Sequence, residues 1–233
     1  MLSGEYLKRG EYHKHLDMNW SYYPIYTRKI AYIDEFLKNI ALEKSILDAG
    51  CGEGVLVEKY RALGRDITGL DLNVTNTYVQ KGDILNMPFK EACFDIVLLL
   101  DVFEHLNVQH HRPVLQELKR VLKKKGTLIM SIPNLAHKAS RWKFYKKGEF
   151  LRTANINKHP GDRPIKECIK IIIEEGWLIE KRIPIKLTLP PFQEKWLKRI
   201  LGKKLFERYI YSSKRNPDDC FLNIFFLRKQ TSE

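Results

Sequence analysis

The sequence predicts an α/β fold in which a parallel sheet carries helices on both faces. Short apolar runs alternate with segments of helical spacing through the middle of the chain, an order typical of such sheets. One run, Phe94–Asp101, has apolar residues on both faces, as a central strand of a parallel sheet should. With 233 residues, the chain can bury a large core without the help of disulfides or metals.

Strands are predicted where short apolar runs end at turn residues. They are Ser45–Gly50, Asp66–Asp71, Tyr78–Gly82, Phe94–Asp101, Gly126–Ile132, Trp177–Leu189 and Cys220–Arg228. Helices are predicted where apolar residues recur at helical spacing. They are Thr27–Asn39, Val55–Leu63, Pro113–Leu122 and Pro164–Glu175. We divide the chain into an N-terminal lid or arm, residues 1–44, and a main domain, residues 45–233. Residues 136–163 and an insertion at 190–217 also lie outside the alternation, where segments usually build the substrate site or cap the sheet.

Composition narrows the class of protein. Hydrophobic residues at 44% and charged residues at 30% exclude wholesale disorder, collagen and coiled coil. The net charge of +13 suits nucleic acid, an acidic membrane surface or a phosphorylated substrate, and it is equally compatible with a solvated surface. Four cysteines without C-x-x-C spacing indicate reduced thiols. Since no signal-peptide core or membrane-length apolar run is present, we expect a cytoplasmic protein.

A glycine-rich turn, Asp48–Gly54 (DAGCGEG), follows the first predicted strand and precedes a predicted helix. Gly50 and Gly52 allow a sharp turn and a close approach of the backbone to a ligand. The next helix points its free N–H groups toward this turn. Because plain strand-to-helix connections also use glycines, the turn needs support from elsewhere in the chain.

Two acidic residues give that support. Asp71 closes the second predicted strand, where a carboxylate accepts hydrogen bonds from ribose hydroxyls in dinucleotide-binding folds. Asp83 follows the third predicted strand, on the side where an adenine edge would lie. Both belong to the carboxyl edge of the sheet, where open α/β sheets bind ligands. The sequence therefore predicts a site for an adenosine-bearing cofactor.

The spacing of the glycines argues against a nicotinamide cofactor. That fingerprint is G-x-G-x-x-G, which accommodates a pyrophosphate, whereas this loop has G-x-G-x-G. Asp48, two residues before the first glycine, repels phosphate and suits the ammonium of an amino acid. The chain also has no G-x-x-x-x-G-K-[ST] phosphate loop.

This constellation resembles the class I S-adenosylmethionine-dependent methyltransferases. Their first motif is similar to Ile46–Gly54, and their ribose and adenine acids match Asp71 and Asp83. Their fourth-strand signature resembles Phe94–Leu106, and their following elements resemble Leu118–Asn134. The resemblance runs through residues 45–134 in order and is weak outside them.

The resemblance implies a Rossmann-like, seven-stranded, mostly parallel sheet with helices on both faces and a reversed last strand. It also implies S-adenosylmethionine as the methyl donor and S-adenosylhomocysteine as the product. The implied cofactor-binding residues are Asp48, Gly50, Cys51, Gly52, Gly54, Asp71, Leu72, Asp83, Ile84 and Asp101.

His105 is the candidate catalytic residue, because it follows the fourth strand and imidazole titrates near neutral pH. Three roles are open: general base, shaping of the cofactor pocket, and metal ligand. The last rests on the similarity of Asp101-x-x-Glu104-His105 to the E-x-x-E-H motif of some O-methyltransferases, including ubiquinone-biosynthesis and small-RNA 3′-end enzymes. Asp101 stands where that motif has Glu, and we assign no metal ligand. We expect His13, His15 and the pair His110-His111 to be surface residues.

The sequence does not identify the methyl acceptor, for which we favour a small molecule or a lipid-linked compound. Alternatives are an RNA methyltransferase and a non-catalytic subunit that binds S-adenosylmethionine. Methylation of exocyclic base amines is disfavoured, since no [DNS]-P-P-[YFW] motif follows the fourth strand. Whether oxygen, nitrogen or carbon is methylated stays open.

Two segments outside the core carry further expectations. Residues 10–30 are rich in aromatic side chains and are predicted to fold over the cofactor as a lid, or to pack as an arm on the sheet edge. The 190–217 insertion is predicted to form a basic amphipathic helix. Its apolar stripe packs on the sheet, docks at a membrane surface or, less favoured, contacts nucleic acid. The stripe consists of Phe192, Trp196, Ile200, Leu205 and Tyr209.

Overall fold

The structure is a computed structural model that describes residues 17–152 and 155–230. Its strands are β1 (Ile46–Ala49), β2 (Ile67–Asp71), β3 (Val79–Lys81), β4 (Phe94–Leu100), β5 (Leu122–Pro133), β6 (Trp177–Leu187) and β7 (Cys220–Lys229). Its α-helices are α1 (Tyr23–Lys38), α2 (Val55–Ala62), α3 (His111–Val121), α4 (Lys138–Lys147), α5 (Ile165–Glu174) and α6 (Pro191–Ile210).

All seven strands form one sheet in the order β3-β2-β1-β4-β5-β7-β6. Neighbouring strands from β3 to β5 are parallel, and β7 is antiparallel to both β5 and β6. The first six strands therefore end at one edge, and only the last strand is reversed. This confirms the predicted α/β class and the topology that the resemblance implied.

Two apolar layers cover the sheet, one on each face. Consecutive residues of β4 alternate between them: Val97 and Leu99 pack with α3 and α5, while Ile96 and Leu98 pack with α1 and α2. This alternation explains why residues 96–100 of the strand are all apolar, since side chains of a strand point to opposite faces in turn. The buried layers fix the register of the sheet and hold the carboxyl edge in place.

Some elements differ from the sequence prediction in their bounds. The first helix begins at Tyr23 rather than Thr27, with Pro24 in its first turn, where a missing N–H is harmless. Strand β5 begins at Leu122 rather than Gly126, because it pairs with Phe94 across a bulge before the regular ladder starts. Helix α4 lies within 136–163, a segment for which we predicted no element.

Helix α6 lies in the 190–217 insertion and is kinked at Gly202, where φ is +69°. Leu197, Leu201, Phe206 and Ile210 face a cluster with Leu187 and Leu189. The sequence-derived stripe lies largely on the other side: Phe192, Trp196, Ile200 and Leu205 are exposed. The expectation that these four side chains pack on the sheet is wrong, because α6 uses a different set of apolar residues for that contact.

Candidate functional site

The glycine loop connects β1 to α2 at the carboxyl edge of the sheet. Gly50 has φ +76°, a left-handed conformation that L side chains rarely adopt. A Cβ at this position would lie 2.5 Å from Cγ2 of Val102, which follows β4. At Gly54, the N-cap of α2, a Cβ would lie 2.5 Å from Cγ2 of Val79. The loop therefore needs glycine for its shape, and it packs against the first residue of β3 and the residue that closely follows β4.

Asp71, at the end of β2, holds the glycine loop in position. Its Oδ2 accepts a hydrogen bond of 2.9 Å from the Gly52 amide. Its Oδ1 accepts from the amides of Asn73 at 2.9 Å and Val74 at 3.2 Å. Each carboxylate oxygen has two lone pairs, so one acceptor site remains, at Oδ2. The structure thus brings Asp71 to the loop while leaving it able to accept a hydrogen bond from a hydroxyl.

Asp48 is buried in β1, just before the loop, with 4% of its surface exposed. Burial and, to a smaller extent, the nearby Asp71 raise the pKa of its carboxyl to about 7, although the ammonium of Lys29 acts in the opposite direction. Because desolvation disfavours a charged carboxylate, a cation at this position would stabilise the ionised form. The group is suited to pair with an ammonium.

The remaining predicted cofactor residues lie around the ends of β1 to β3. Leu72 directly follows β2 and is 44% exposed. Asp83 is exposed and accepts a hydrogen bond of 2.9 Å from the Leu85 amide, while Ile84 is buried. Cys51 is half-buried, and burial is the main cause that raises the pKa of its thiol. These residues border the same edge as Asp71.

Asp101, at the end of β4, is held by three side chains, two from the N-terminal helix and its cap and one from β5. It forms an ion pair with the buried Lys29 of α1. Its carboxylate accepts hydrogen bonds from the Tyr22 hydroxyl at 2.9 Å and the Ser131 hydroxyl at 2.6 Å. Burial would raise the pKa of this carboxyl, but the Lys29 ammonium and the hydrogen bonds lower it. Asp101 itself has φ +56°, which the surrounding contacts stabilise.

His105 lies in a short 3₁₀ turn, Phe103–His105, that follows β4. Its Nδ1 is 3.0 Å from the carbonyl oxygen of Lys158. A carbonyl only accepts hydrogen bonds, so Nδ1 carries the proton and Nε2 of the neutral ring has the lone pair. The ring meets that of His159 edge-on, with centroids 4.6 Å apart. Burial and, next, His159 lower the pKa of His105, which keeps the imidazole neutral at pH 7.

Glu104 has a different environment from its neighbour. Its side chain is buried, and Oε2 has no hydrogen-bonding partner in the described part of the chain. Burial and the adjacent Asp101 raise the pKa of this carboxyl well above its usual range. Among residues 17–152 and 155–230, no three His, Cys, Asp or Glu side chains form a group that could hold a metal ion.

The expectation for His111 is wrong, because this side chain is fully buried. Its ring stacks on Phe103 with centroids 3.9 Å apart, and Nε2 is 3.1 Å from the Phe103 carbonyl oxygen. Burial is the main cause that lowers its pKa to about 4, so this His supports the turn below His105 as a neutral group. His13 and His15 lie outside the described residues.

Sequence reasoning missed the partners of the β4 edge: Tyr22, Lys29, Ser131 and His159. No motif marks them, since they come from three distant places: α1 with its N-cap, β5, and the loop before α5. The aromatic content of residues 10–30 is the one available signal, and residues 17–30 lie within the described chain. There Trp20 packs against Tyr22, with ring centroids 5.0 Å apart, and Tyr22 reaches Asp101.

Comparison with known proteins gives the family. A family model described as "Methyltransferase domain" matches residues 47–130, which include the glycine loop, Asp71 and the β4 edge. This part of the chain belongs to the methyltransferase domain family, and the fold is that of the class I S-adenosylmethionine-dependent methyltransferases. Within this methyltransferase family, the Ubiquinone biosynthesis O-methyltransferase of Glaesserella parasuis is 30% identical over 130 residues, covering 48% of this chain and 54% of that protein. The chain spans about half the length of the curated relatives it matches.

Solved structures share the methyltransferase fold. The PH0226 protein from Pyrococcus horikoshii aligns over 97% of this chain and 99% of its own, with a TM-score of 0.60 and 15% identity. The 1,6-didemethyltoxoflavin-N1-methyltransferase of Burkholderia thailandensis, solved with S-adenosylhomocysteine, aligns over 86% of this chain and 76% of its own. Its TM-score is 0.53 at 13% identity. At these identities the likeness shows the common fold alone.

Proposed function

We propose that this protein transfers the methyl group of S-adenosylmethionine to a hydroxyl of a small or lipid-linked acceptor. The observation that carries the proposal is the hydrogen bond from the Gly52 amide to Asp71. It joins the two elements that the sequence assigns to cofactor binding, the glycine loop and the acid at the end of β2. The family supports the choice of cofactor, and the named ubiquinone O-methyltransferase relatives support oxygen as the methylated atom.

The residues at this edge fit the proposed cofactor. A Cβ at Gly50 would clash with Val102, so the glycine lets the loop pack closely against the residues after β4 at this edge. Asp71 would accept a hydrogen bond from a ribose hydroxyl, and Asp48 would face the ammonium of the amino-acid end. Leu72, Asp83 and Ile84 would border the adenine. When bound, S-adenosylmethionine supplies an electrophilic methyl group on a sulfonium centre.

His105 is the proposed general base. A hydroxyl is protonated at neutral pH, so its attack requires a group that accepts the proton. The Lys158 carbonyl fixes the proton on Nδ1, and burial with His159 keeps the ring neutral. Nε2 then has the lone pair of the neutral ring, which can accept a proton. Much of the remaining rate enhancement would come from holding the two reactants in line.

The N-terminal segment is the proposed cover of this edge. Tyr22 and Lys29 extend from α1 to Asp101, so they link the helix to the end of β4. Trp20 and Tyr26 pack near Tyr22, with Trp20 to Tyr26 centroids 6.4 Å apart. An aromatic cluster here would exclude water and could meet a sulfonium through its ring faces.

The proposed function is tested by methyl labelling. The protein is incubated with S-adenosylmethionine labelled in its methyl group and an extract of its source cells, and the products are separated into lipid, small-molecule, RNA and protein fractions. We expect label in the lipid or small-molecule fraction and binding of S-adenosylhomocysteine by calorimetry. Label in RNA would identify the alternative acceptor. Binding without transfer would indicate a non-catalytic subunit, and binding of NADH in its place would refute the cofactor.

A further inference from the structure

Helices α4 and α6 together form an exposed surface that we call the aromatic–basic surface. Its large apolar side chains are Phe144, Tyr145, Phe192, Trp196 and Ile200, with exposed fractions from 48% to 82%. The rings of Trp142 and Phe192 lie 6.1 Å apart and join the two helices. Contiguous exposed apolar patches usually mark sites of interaction with another surface.

The exposed face of α6 is not the face that stabilises the fold. Leu197, Leu201 and Phe206 already bind the helix to the cluster beside β6 and β7. Phe192, Trp196 and Ile200 recur every four residues and share another side of the helix. Apart from the contact of Phe192 with Trp142, this second apolar side belongs to none of the buried clusters of the described residues.

The charge around this surface is strongly positive. Helices α4 and α6 contain eleven Lys and Arg residues against two Glu. All six basic residues of α6 are exposed, and Lys195 and Arg199 directly flank Trp196 and Ile200. Such a helix, with aromatic and aliphatic residues bordered by Lys and Arg, suits the boundary between headgroups and acyl chains.

The topology places this surface near the candidate site. Helix α4 follows the end of β5, and α6 follows the end of β6. Both strands run parallel to β4, so their ends share the edge that carries the glycine loop and His105. A membrane on the aromatic–basic surface would therefore lie beside the edge at which an acceptor is expected.

We propose that the aromatic–basic surface docks on an anionic lipid bilayer. Phe192, Trp196 and Ile200 enter the interface, and the Lys and Arg side chains contact anionic headgroups. The exposed aliphatic side chain among the rings favours lipid over nucleic acid. Bases stack on aromatic rings and phosphates pair with basic side chains, but neither gives an aliphatic side chain an apolar partner. Between 17 and 152 and between 155 and 230, no helix has the length and apolarity to cross a bilayer, so the contact is peripheral. Docking on a bilayer does not depend on the proposed function. Only the idea that docking delivers a lipid-linked acceptor rests on the proposed function.

The experiment is co-sedimentation of the full chain with vesicles of phosphatidylcholine alone or mixed with phosphatidylglycerol. We expect binding to the anionic vesicles only. The double variant Phe192→Ser with Trp196→Ser should weaken that binding about tenfold or more, because two aromatic rings are no longer transferred from water into the bilayer interface. The matched control, Leu42→Ser with Leu63→Ser, removes side chains of similar exposure, 60% and 57%, and should bind as the wild type does.

A second pair of variants separates docking from adsorption of a basic protein. Lys195→Glu with Arg199→Glu should abolish binding to anionic vesicles, whereas Lys124→Glu with Lys125→Glu, which changes the net charge equally, should leave most of it. Equal losses would mean that net charge alone drives adsorption and would overturn the proposal. Unchanged vesicle binding by the Phe192/Trp196 variant would also overturn the proposal in two cases. Loss of binding to single-stranded RNA in that variant would mean that the surface contacts nucleic acid. Loss of a dimer that the wild type forms in sedimentation equilibrium would mean that the surface joins two copies of the chain. Calorimetry with S-adenosylhomocysteine on the same variants tests the cofactor site independently of vesicle binding.

Discussion

The ends of β2 and β4 lie on either side of β1, and each carries an aspartate at the same edge of the sheet. Asp71 accepts hydrogen bonds from backbone amides of the glycine loop and of its own turn. Asp101 is bound by side chains: the ammonium of Lys29 and the hydroxyls of Tyr22 and Ser131. One aspartate shapes a loop, and the other ties an N-terminal helix to the sheet.

The difference shows how the two halves of the site are built. Backbone donors come from residues close in sequence or from the neighbouring strand, so the β2 edge is formed by a local motif. The β4 edge depends on contacts between residues 72 and 79 positions apart. We expect substitutions at the β2 edge to affect cofactor affinity, and substitutions at the β4 edge to affect catalysis and stability.

The largest effect is expected for His105→Ala. Removing the base should lower the rate of methyl transfer by about 10²–10⁴, measured with the acceptor fraction found by labelling, while affinity for S-adenosylhomocysteine changes little. The acidic limb of the pH–rate profile should disappear. In the wild type it should lie below pH 6.5, because burial and His159 lower the pKa of His105, and protonation removes the base.

The control for this prediction is His110→Ala, since His110 is five residues away and has no role in the proposed reaction. A parallel loss of affinity and rate in the His105 variant, with the acidic limb kept, would mean that the imidazole shapes the cofactor pocket. Sensitivity to chelators, with recovery on adding a divalent ion, would support the role of metal ligand.

The next effect concerns stability at the β4 edge. Lys29→Met leaves the Asp101 carboxylate without its buried cation, which should lower the free energy of unfolding by about 3–5 kcal/mol. Urea unfolding measures it. The matched variant Lys59→Met removes the more exposed ion pair with Asp34 and should change stability by about 0–1 kcal/mol. Equal losses in the two variants would contradict the special role of the Lys29 pair.

At the β2 edge, Asp71→Ala should weaken binding of S-adenosylhomocysteine by about 1.5–3 kcal/mol, or roughly 10- to 150-fold. The ribose hydroxyls lose a charged acceptor, and the Gly52 amide loses its partner. Calorimetry measures the change. The control is Asp66→Ala, because Asp66 directly precedes β2 and lies at the opposite edge of the sheet. Unaltered affinity in the Asp71 variant would refute the assignment of this edge to the ribose.

The smallest effect is a pH dependence of cofactor affinity. The pKa of Asp48 is about 7, raised by burial and Asp71 and opposed by Lys29. Above this value the carboxyl is ionised and pairs with the ammonium of S-adenosylhomocysteine; below it the carboxyl is protonated and the pair is lost. Affinity should therefore rise about tenfold from one pH unit below 7 to one unit above. In Asp48→Asn, calorimetry should find this part of the pH dependence absent.

The sequence alone determined the α/β class, the order of strands and helices in the core and the position of the glycine loop. These features are local: alternating apolar periods specify strands and helices, and glycines at fixed spacing specify one turn. Apolar residues at both odd- and even-numbered positions of β4 already required that other elements cover both faces of the strand. The residues assigned to cofactor binding lie along one edge because the strands that precede them are parallel.

The tertiary structure alone decided what surrounds Asp101 and His105, and which side of α6 is exposed. Lys29, Ser131 and His159 come from different elements, and their approach depends on how whole helices and loops pack against the sheet. The side of α6 that packs was not readable, because the helix has apolar residues on more than one side and a kink at Gly202. Periodicity reports which positions share a face, but only the shape of the partner surface selects the face that is buried.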